Sequence, residues 1–210
     1  MNAFEVVRFL SGMGAVSPEH RKKMSKKSQM ILITTDSLPF IPFPANDSME
    51  TQAELAALSK IRVSKEDIEF MKVADTDIAA PFLDYAKEHD LPISRELLEK
   101  IMDDAVPFIL ELKYAYNRPR PVQLAYMYGL ELSPYPSKTA DTPSYPSGHA
   151  FQAYLVAYVI GAMYPAHAKA LEEIAKRVGQ SRVNMKVHFP SDIAAGQMFA
   201  KIASQSFALK

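Results

Sequence analysis

The chain has 210 residues, a length that suits one domain with an N-terminal extension. Its apolar share of 48% can build a sizeable core, and 24 basic against 24 acidic side chains leave no net charge and no global mark of a nucleic-acid or anionic-membrane partner. There is no cysteine, which excludes disulfides, thiolate zinc sites and a cysteine nucleophile.

Residues 1–50 are read as an N-terminal extension, partly loop, and 51–210 as a helical domain. Met1 to Met13 reads as a short amphipathic helix. Glu5 and Arg8 interrupt it, so no basic start followed by an unbroken apolar run is present. A secretory signal is therefore not expected, and an intracellular, soluble protein is, with Met1 taken as the native start. Arg21 to Lys27 holds five basic residues in seven, either a solvated surface turn or a docking patch for anionic substrates or headgroups. Met30 to Thr35 is β-branched enough to suggest a short strand. Pro39, Pro42 and Pro44 make Ser37 to Ser48 an extended loop.

From Met49 the pattern turns helical. Ala53 to Ile61 is a short helix. Ser64 caps a helix that runs to about Asp75, and Pro81 to His89 forms another. Ser94 caps a longer one, with apolar residues at Leu98, Ile101, Met102, Ala105, Ile109, Leu112 and Tyr116 forming a core-facing stripe. Pro107 is expected to bend it. Lys113 lies on that stripe, four residues after Ile109. Two prolines flank Arg120 and restrict the backbone that aims it. Val122 to Pro143 is loop-rich, with a helical turn near Gln123 to Tyr128. Nine of the ten tyrosines fall between residues 114 and 164, as helix packing or as walls of a substrate pocket.

Ser147 is read as the N-cap of a helix over Ala150 to Tyr164, apolar nearly all round and hence buried. At about fifteen residues it is short of the roughly twenty that a membrane span needs, so no transmembrane segment is expected. A further helix runs from Ala166 to about Met185 and puts Arg182 on its core-facing stripe, where a guanidinium demands an anion. Pro190 opens the last helix, with Asp192 in its first turn and a small-residue face from Ile193 to Phe207. His89 and His167 read as surface residues.

Three clusters carry chemistry: Lys113-x6-Arg120-Pro121, Pro146-Ser147-Gly148-His149, and Ser181-Arg182-x5-His188-x3-Asp192. Lys113, Arg120 and Arg182 would surround an oxyanion, with Ser147 and the Gly148 N–H as neutral donors at a helix start. Asp192, one turn from His188, accepts from one ring nitrogen and leaves the other as nucleophile. His149 remains as general acid and then base. Nothing in this set calls for a divalent metal, because the cations supply the electrostatic work.

All three clusters together resemble the signature of the type 2 phosphatidic acid phosphatase and vanadium haloperoxidase superfamily, over about residues 94–207. The resemblance implies a single all-α bundle and metal-independent hydrolysis of phosphomonoesters through a phosphohistidine at His188. It makes His149 the acid and Asp192 the carboxylate that orients His188. Lys113, Arg120, Ser147, Gly148 and Arg182 become the phosphate ligands. It further implies a small phosphorylated substrate, no resident cofactor, inhibition by vanadate, and a place in the soluble branch of acid phosphatases and haloperoxidases, where homo-oligomers are allowed. The alternative it carries is a haloperoxidase with vanadate as cofactor.

Overall fold

A computed structural model describes residues 16–209; the helix expected at Met1 to Met13 lies outside the described residues. Those residues form nine α-helices and two short 3-10 turns, an all-α architecture. In chain order the helices are α1 (Pro18–Met24), α2 (Met49–Lys60), α3 (Lys65–Thr76), α4 (Ala80–Glu88), α5 (Arg95–Tyr116), α6 (Pro121–Met127), α7 (Gly148–Met163), α8 (Ala168–Asn184) and α9 (Pro190–Gln205).

The three serine caps expected from the sequence are observed, while the helix expected from Ala53 begins earlier, at Met49. Ser64 closes a capping box with Asp67, Ser94 accepts the N–H of Leu97, and Ser147 accepts the N–H of Ala150. At the other end of α5, Asn117 turns left-handed with φ 49° and its N–H closes onto the Lys113 carbonyl. The prolines that follow forbid any continuation of the helix.

α7 is the axis of the molecule. Alanine, valine, leucine, isoleucine and tyrosine cover nearly its whole circumference, so it must be surrounded, and α5, α8 and α9 pack against it. Each fully buried leucine or phenylalanine in this core contributes about 1.5–3 kcal/mol. α3 and α4 lie outside, against α8, and α1 lies against α5. Gly196 sets the approach of α9 to α7: a Cβ there would stand 2.8 Å from the Ser147 carbonyl oxygen and 2.9 Å from the Ala150 Cβ. The small face of α9 therefore brings its first turn against the start of α7, which joins the second cluster to the third.

The strand expected at Met30 to Thr35 is not formed. A single bridge pairs Ile31 with Phe207, and no strand lies among the described residues. The Asp104 carboxylate of α5 takes the N–H groups of Gln29, Met30 and Ile31, and this segment's backbone pairing is confined to Leu32 N–H on the Ser206 carbonyl and Ala208 N–H on the Met30 carbonyl, too short a ladder for a strand. Its β-branched residues pack on the bundle instead. α1 presents Arg21, Lys22 and Lys23 to solvent. The expected surface histidines meet each other: His89 is exposed, with its ring 5.5 Å from that of half-buried His167, which shares a hydrogen bond with Tyr85. No helix among the described residues is long and apolar enough to cross a membrane.

Candidate active site

The first turn of α9 builds a histidine–carboxylate pair. Pro190 opens the helix, and Asp192 accepts the Phe189 N–H at 2.9 Å. The same oxygen, Oδ2, lies 3.1 Å from His188 Nδ1 and accepts the Ser144 hydroxyl. Burial pushes Asp192 upward, but Arg118, His188 and Ser144 together outweigh it and hold the carboxyl below the usual carboxylate range. An ionised Asp192 cannot donate, so the shared proton resides on Nδ1. His188 Nε2 is left with its lone pair, 3.2 Å from Arg120 Nη1. Burial first, and then Arg120 and Lys113, drive the His188 pKa well down, so the ring is neutral.

The segment after α5 aims two arginines at this pair. Each precedes a proline, which favours an extended backbone; Arg120 has φ −75° and ψ 156°. Side chains two apart on an extended segment point the same way. Arg118 accordingly donates to Asp192 Oδ1 at 2.7 Å, while Arg120 reaches His188. Arg120 is fixed by the carbonyls of Thr142 and Val187 at 2.9 and 2.8 Å and by the Thr142 hydroxyl. Lys113 Nζ donates to the Pro143 carbonyl at 2.7 Å. The loop from 129 to 147 is thus ordered by cations that hold its carbonyls, and its Asp141 carboxylate acts on Lys113 and Arg120 from a distance.

His149, in the first turn of α7, places Nε2 3.1 Å from the backbone carbonyl of Asp75. A carbonyl only accepts, so Nε2 carries the proton and Nδ1 is free in the neutral ring. Burial and then Arg182 lower its pKa to about 3. The Asp75 side chain, at the end of α3, forms a second anchor. It pairs with Arg182 Nη1 at 2.6 Å and accepts from the Ser137 hydroxyl, the Lys138 N–H at 2.8 Å and the Thr139 hydroxyl at 3.0 Å. Burial raises this carboxyl, and the ring of donors overcomes it and leaves it below the usual range. Arg182 Nη2 donates to Ser137 and Thr139, and its Nε is buried with no hydrogen-bond partner.

A cleft of about 190 Å³ is walled by Lys113, Arg120, Thr142, Gly148, His149 and His188. Five of the eight residues singled out in the sequence therefore meet at one cavity. Asp192 stands behind His188. Ser147 is the buried cap of α7, its N–H on the Asp192 carbonyl at 3.0 Å. Arg182 lies one layer back, beside the cleft residue Thr139, with four of its five N–H groups engaged. The tyrosines serve packing: Tyr116 and Tyr145 join Phe43 and Phe199 in an aromatic cluster, and none is among the residues lining the cleft. No group of three or more His, Cys, Asp or Glu arranged to hold a metal ion occurs among the described residues.

The cleft is electrostatically poised. Burial, and the closeness of Arg120 and Arg182, lower Lys113 well below its ordinary value; burial and Arg182 lower Arg120 to about 10. Clustered buried cations lower one another's basicity. Sequence reasoning missed Glu54, Asp75, Arg118, Thr142 and Ser144. Only Arg118 carried a readable signal, the doubled Arg-Pro with its period of two. Compared with models of known protein families, residues 101–205 match the PAP2 superfamily, a span that holds all three clusters and leaves Glu54 and Asp75 before it.

Proposed function

For a chain that belongs to the PAP2 superfamily, and whose membership supports phosphatase-type activity, we propose hydrolysis of phosphomonoesters or their diphosphate relatives through a covalent phosphohistidine at His188. The observation that carries this reading is His188 itself: Nδ1 is tied to Asp192, and Nε2 faces a cationic cleft with its lone pair held by an arginine N–H.

A phosphoryl group entering the cleft meets Lys113, the spare N–H of Arg120 Nη2 and the free backbone N–H groups at the start of α7, while Arg182 adds its charge from one layer back. Arg120 Nη1 leaves His188 for a phosphoryl oxygen, which exposes the nucleophile as the electrophile arrives. Nε2 then attacks phosphorus, the ester P–O bond breaks, and the leaving oxygen takes a proton from His149. In the second half-reaction water attacks phosphorus and gives a proton to His149, and the Nε2–P bond breaks to release phosphate and restore neutral His188. The cations stabilise the equatorial oxygens in both transition states, so no divalent metal is required in this scheme.

The test is turnover of p-nitrophenyl phosphate in EDTA, with and without vanadate, by wild type and His188→Ala. Expected are activity that survives EDTA, falls with vanadate and is lost in the variant. A folded wild type inert toward every phosphomonoester and diphosphate tried would overturn the proposal.

A further inference from the structure

Behind the histidine pair runs a row of charges that the signature residues do not account for. Arg118 is fully buried, its guanidinium 3.9 Å from the centre of the Phe189 ring and 5.0 Å from that of Phe43. On one side it bonds Asp192, and on the other its Nη2 bonds Glu54 Oε2 at 3.2 Å. Glu54 comes from α2. Its Oε1 accepts the Ser191 N–H at 2.7 Å and its Oε2 the Ser191 hydroxyl at 2.9 Å, at the start of α9. The order in space is imidazole, carboxylate, guanidinium, carboxylate: His188, Asp192, Arg118, Glu54.

The charges of this row explain the fourth member. With only Asp192 and Arg118, a neutral His188 would face a closed ion pair, and Asp192 would have little negative charge left for the ring. Glu54 occupies the far side of Arg118 and frees that charge. With His188 neutral the row sums to minus one; with the imidazole cationic, as it is once Nε2 bonds to phosphorus and Nδ1 keeps its proton, the row sums to zero. A neutral side chain at position 54 would still cap Ser191 but would leave the row with a surplus positive charge at that moment. The other charged and titratable groups around His188 are Lys113 and Arg120 on the cleft side, on both of which Asp141 acts from the loop, and His149 across the cleft; the carboxylate bonded to the ring itself is Asp192.

We infer that Glu54, acting through Arg118 and Asp192, is a positioning residue that selectively stabilises His188 in its covalently bonded, cationic form. The inference rests on the phosphohistidine reading above and adds a residue that lies outside the matched family span.

The experiment compares wild type, Glu54→Gln and Glu54→Asp by calorimetric binding of inorganic phosphate and of vanadate, and by steady-state kinetics on p-nitrophenyl phosphate. Phosphate binds without bonding to His188. Vanadate accepts Nε2 as a fifth ligand, so that one N–V bond forms, none breaks and the ring becomes cationic. In Glu54→Gln, vanadate affinity and kcat should each fall about tenfold, the equivalent of one pKa unit, with phosphate affinity and KM within about twofold. Glu54→Asp keeps the charge and should recover most of the loss. Equal weakening of phosphate and vanadate, or no change in either, would overturn the inference and leave Glu54 as a helix cap. A wild type that neither turns over nor binds vanadate would overturn the phosphohistidine reading first, and this inference with it. Thermal melting of the variants separates both outcomes from misfolding.

Discussion

With its Nε2 proton committed to the Asp75 carbonyl at 3.1 Å, a neutral His149 has only Nδ1 to offer a substrate. As a general acid it must first gain a proton there, and a pKa lowered to about 3 by burial and Arg182 means that the substrate's own negative charge has to raise it. The help matters only when the departing oxygen is a poor leaving group. His149→Asn should therefore lower kcat roughly 100-fold or more on an alkyl phosphate and far less on p-nitrophenyl phosphate. Parallel kinetics on the two substrates check this, and equal losses on both would remove His149 from the acid role. The residues of the three clusters were legible because each lies at a fixed short spacing from its neighbours. Their counterions were not. Asp75 and Arg182 are 107 residues apart and Glu54 and Arg118 are 64 apart, and no local pattern announces such pairings. The stripe on α8 did say that Arg182 required an anion; which anion it was needed the fold.

At the scale of elements, the helices were legible because serine caps, apolar periodicity and prolines agree with one another. The segment at Met30 to Thr35 was misread because β-branched composition describes a residue's comfort in an extended chain and says nothing about what bonds its backbone. Here a carboxylate from α5 does. The loop from 129 to 147 was illegible for a related reason, since its conformation follows from the cations that hold its carbonyls. The contact between α7 and α9 is the element-level feature on which the site depends most. Gly196→Ala would press a methyl group into the Ser147 carbonyl and the Ala150 side chain. It should destabilise the fold by about 1–3 kcal/mol. It should also reduce kcat by parting the start of α7 from the start of α9, so that Gly148 and His149 no longer face His188. Chemical denaturation together with kinetics at a temperature where the variant is folded tests both halves.

For the whole molecule, two histidines held neutral, His188 buried and His149 half-buried, link folding to pH. The folded pKa values of His149 and His188 lie below the ordinary 6.5, so the unfolded chain binds more protons in the window beneath that value. Stability is then complete above about pH 6.5 and is lost as pH falls, by up to roughly 1.4 kcal/mol per pH unit for each group. For His149 the loss continues down to about pH 3. Asp75 and Asp192, also lowered, add to the decline below about pH 4. Denaturation midpoints should fall steeply between pH 6.5 and 4, and saturating phosphate should shield the protein by binding only the folded form; a flat profile would contradict the neutral histidines. The row from α2 to α9 also bears on descent. Arg118 is tolerable in the interior only with anions on both flanks, so positions 54 and 118 are bound to change together. Among relatives that keep the three clusters, those that replaced this arginine with an apolar residue should have given up the glutamate too, and the pair would sort the lineage into two branches that the shared signature alone treats as one.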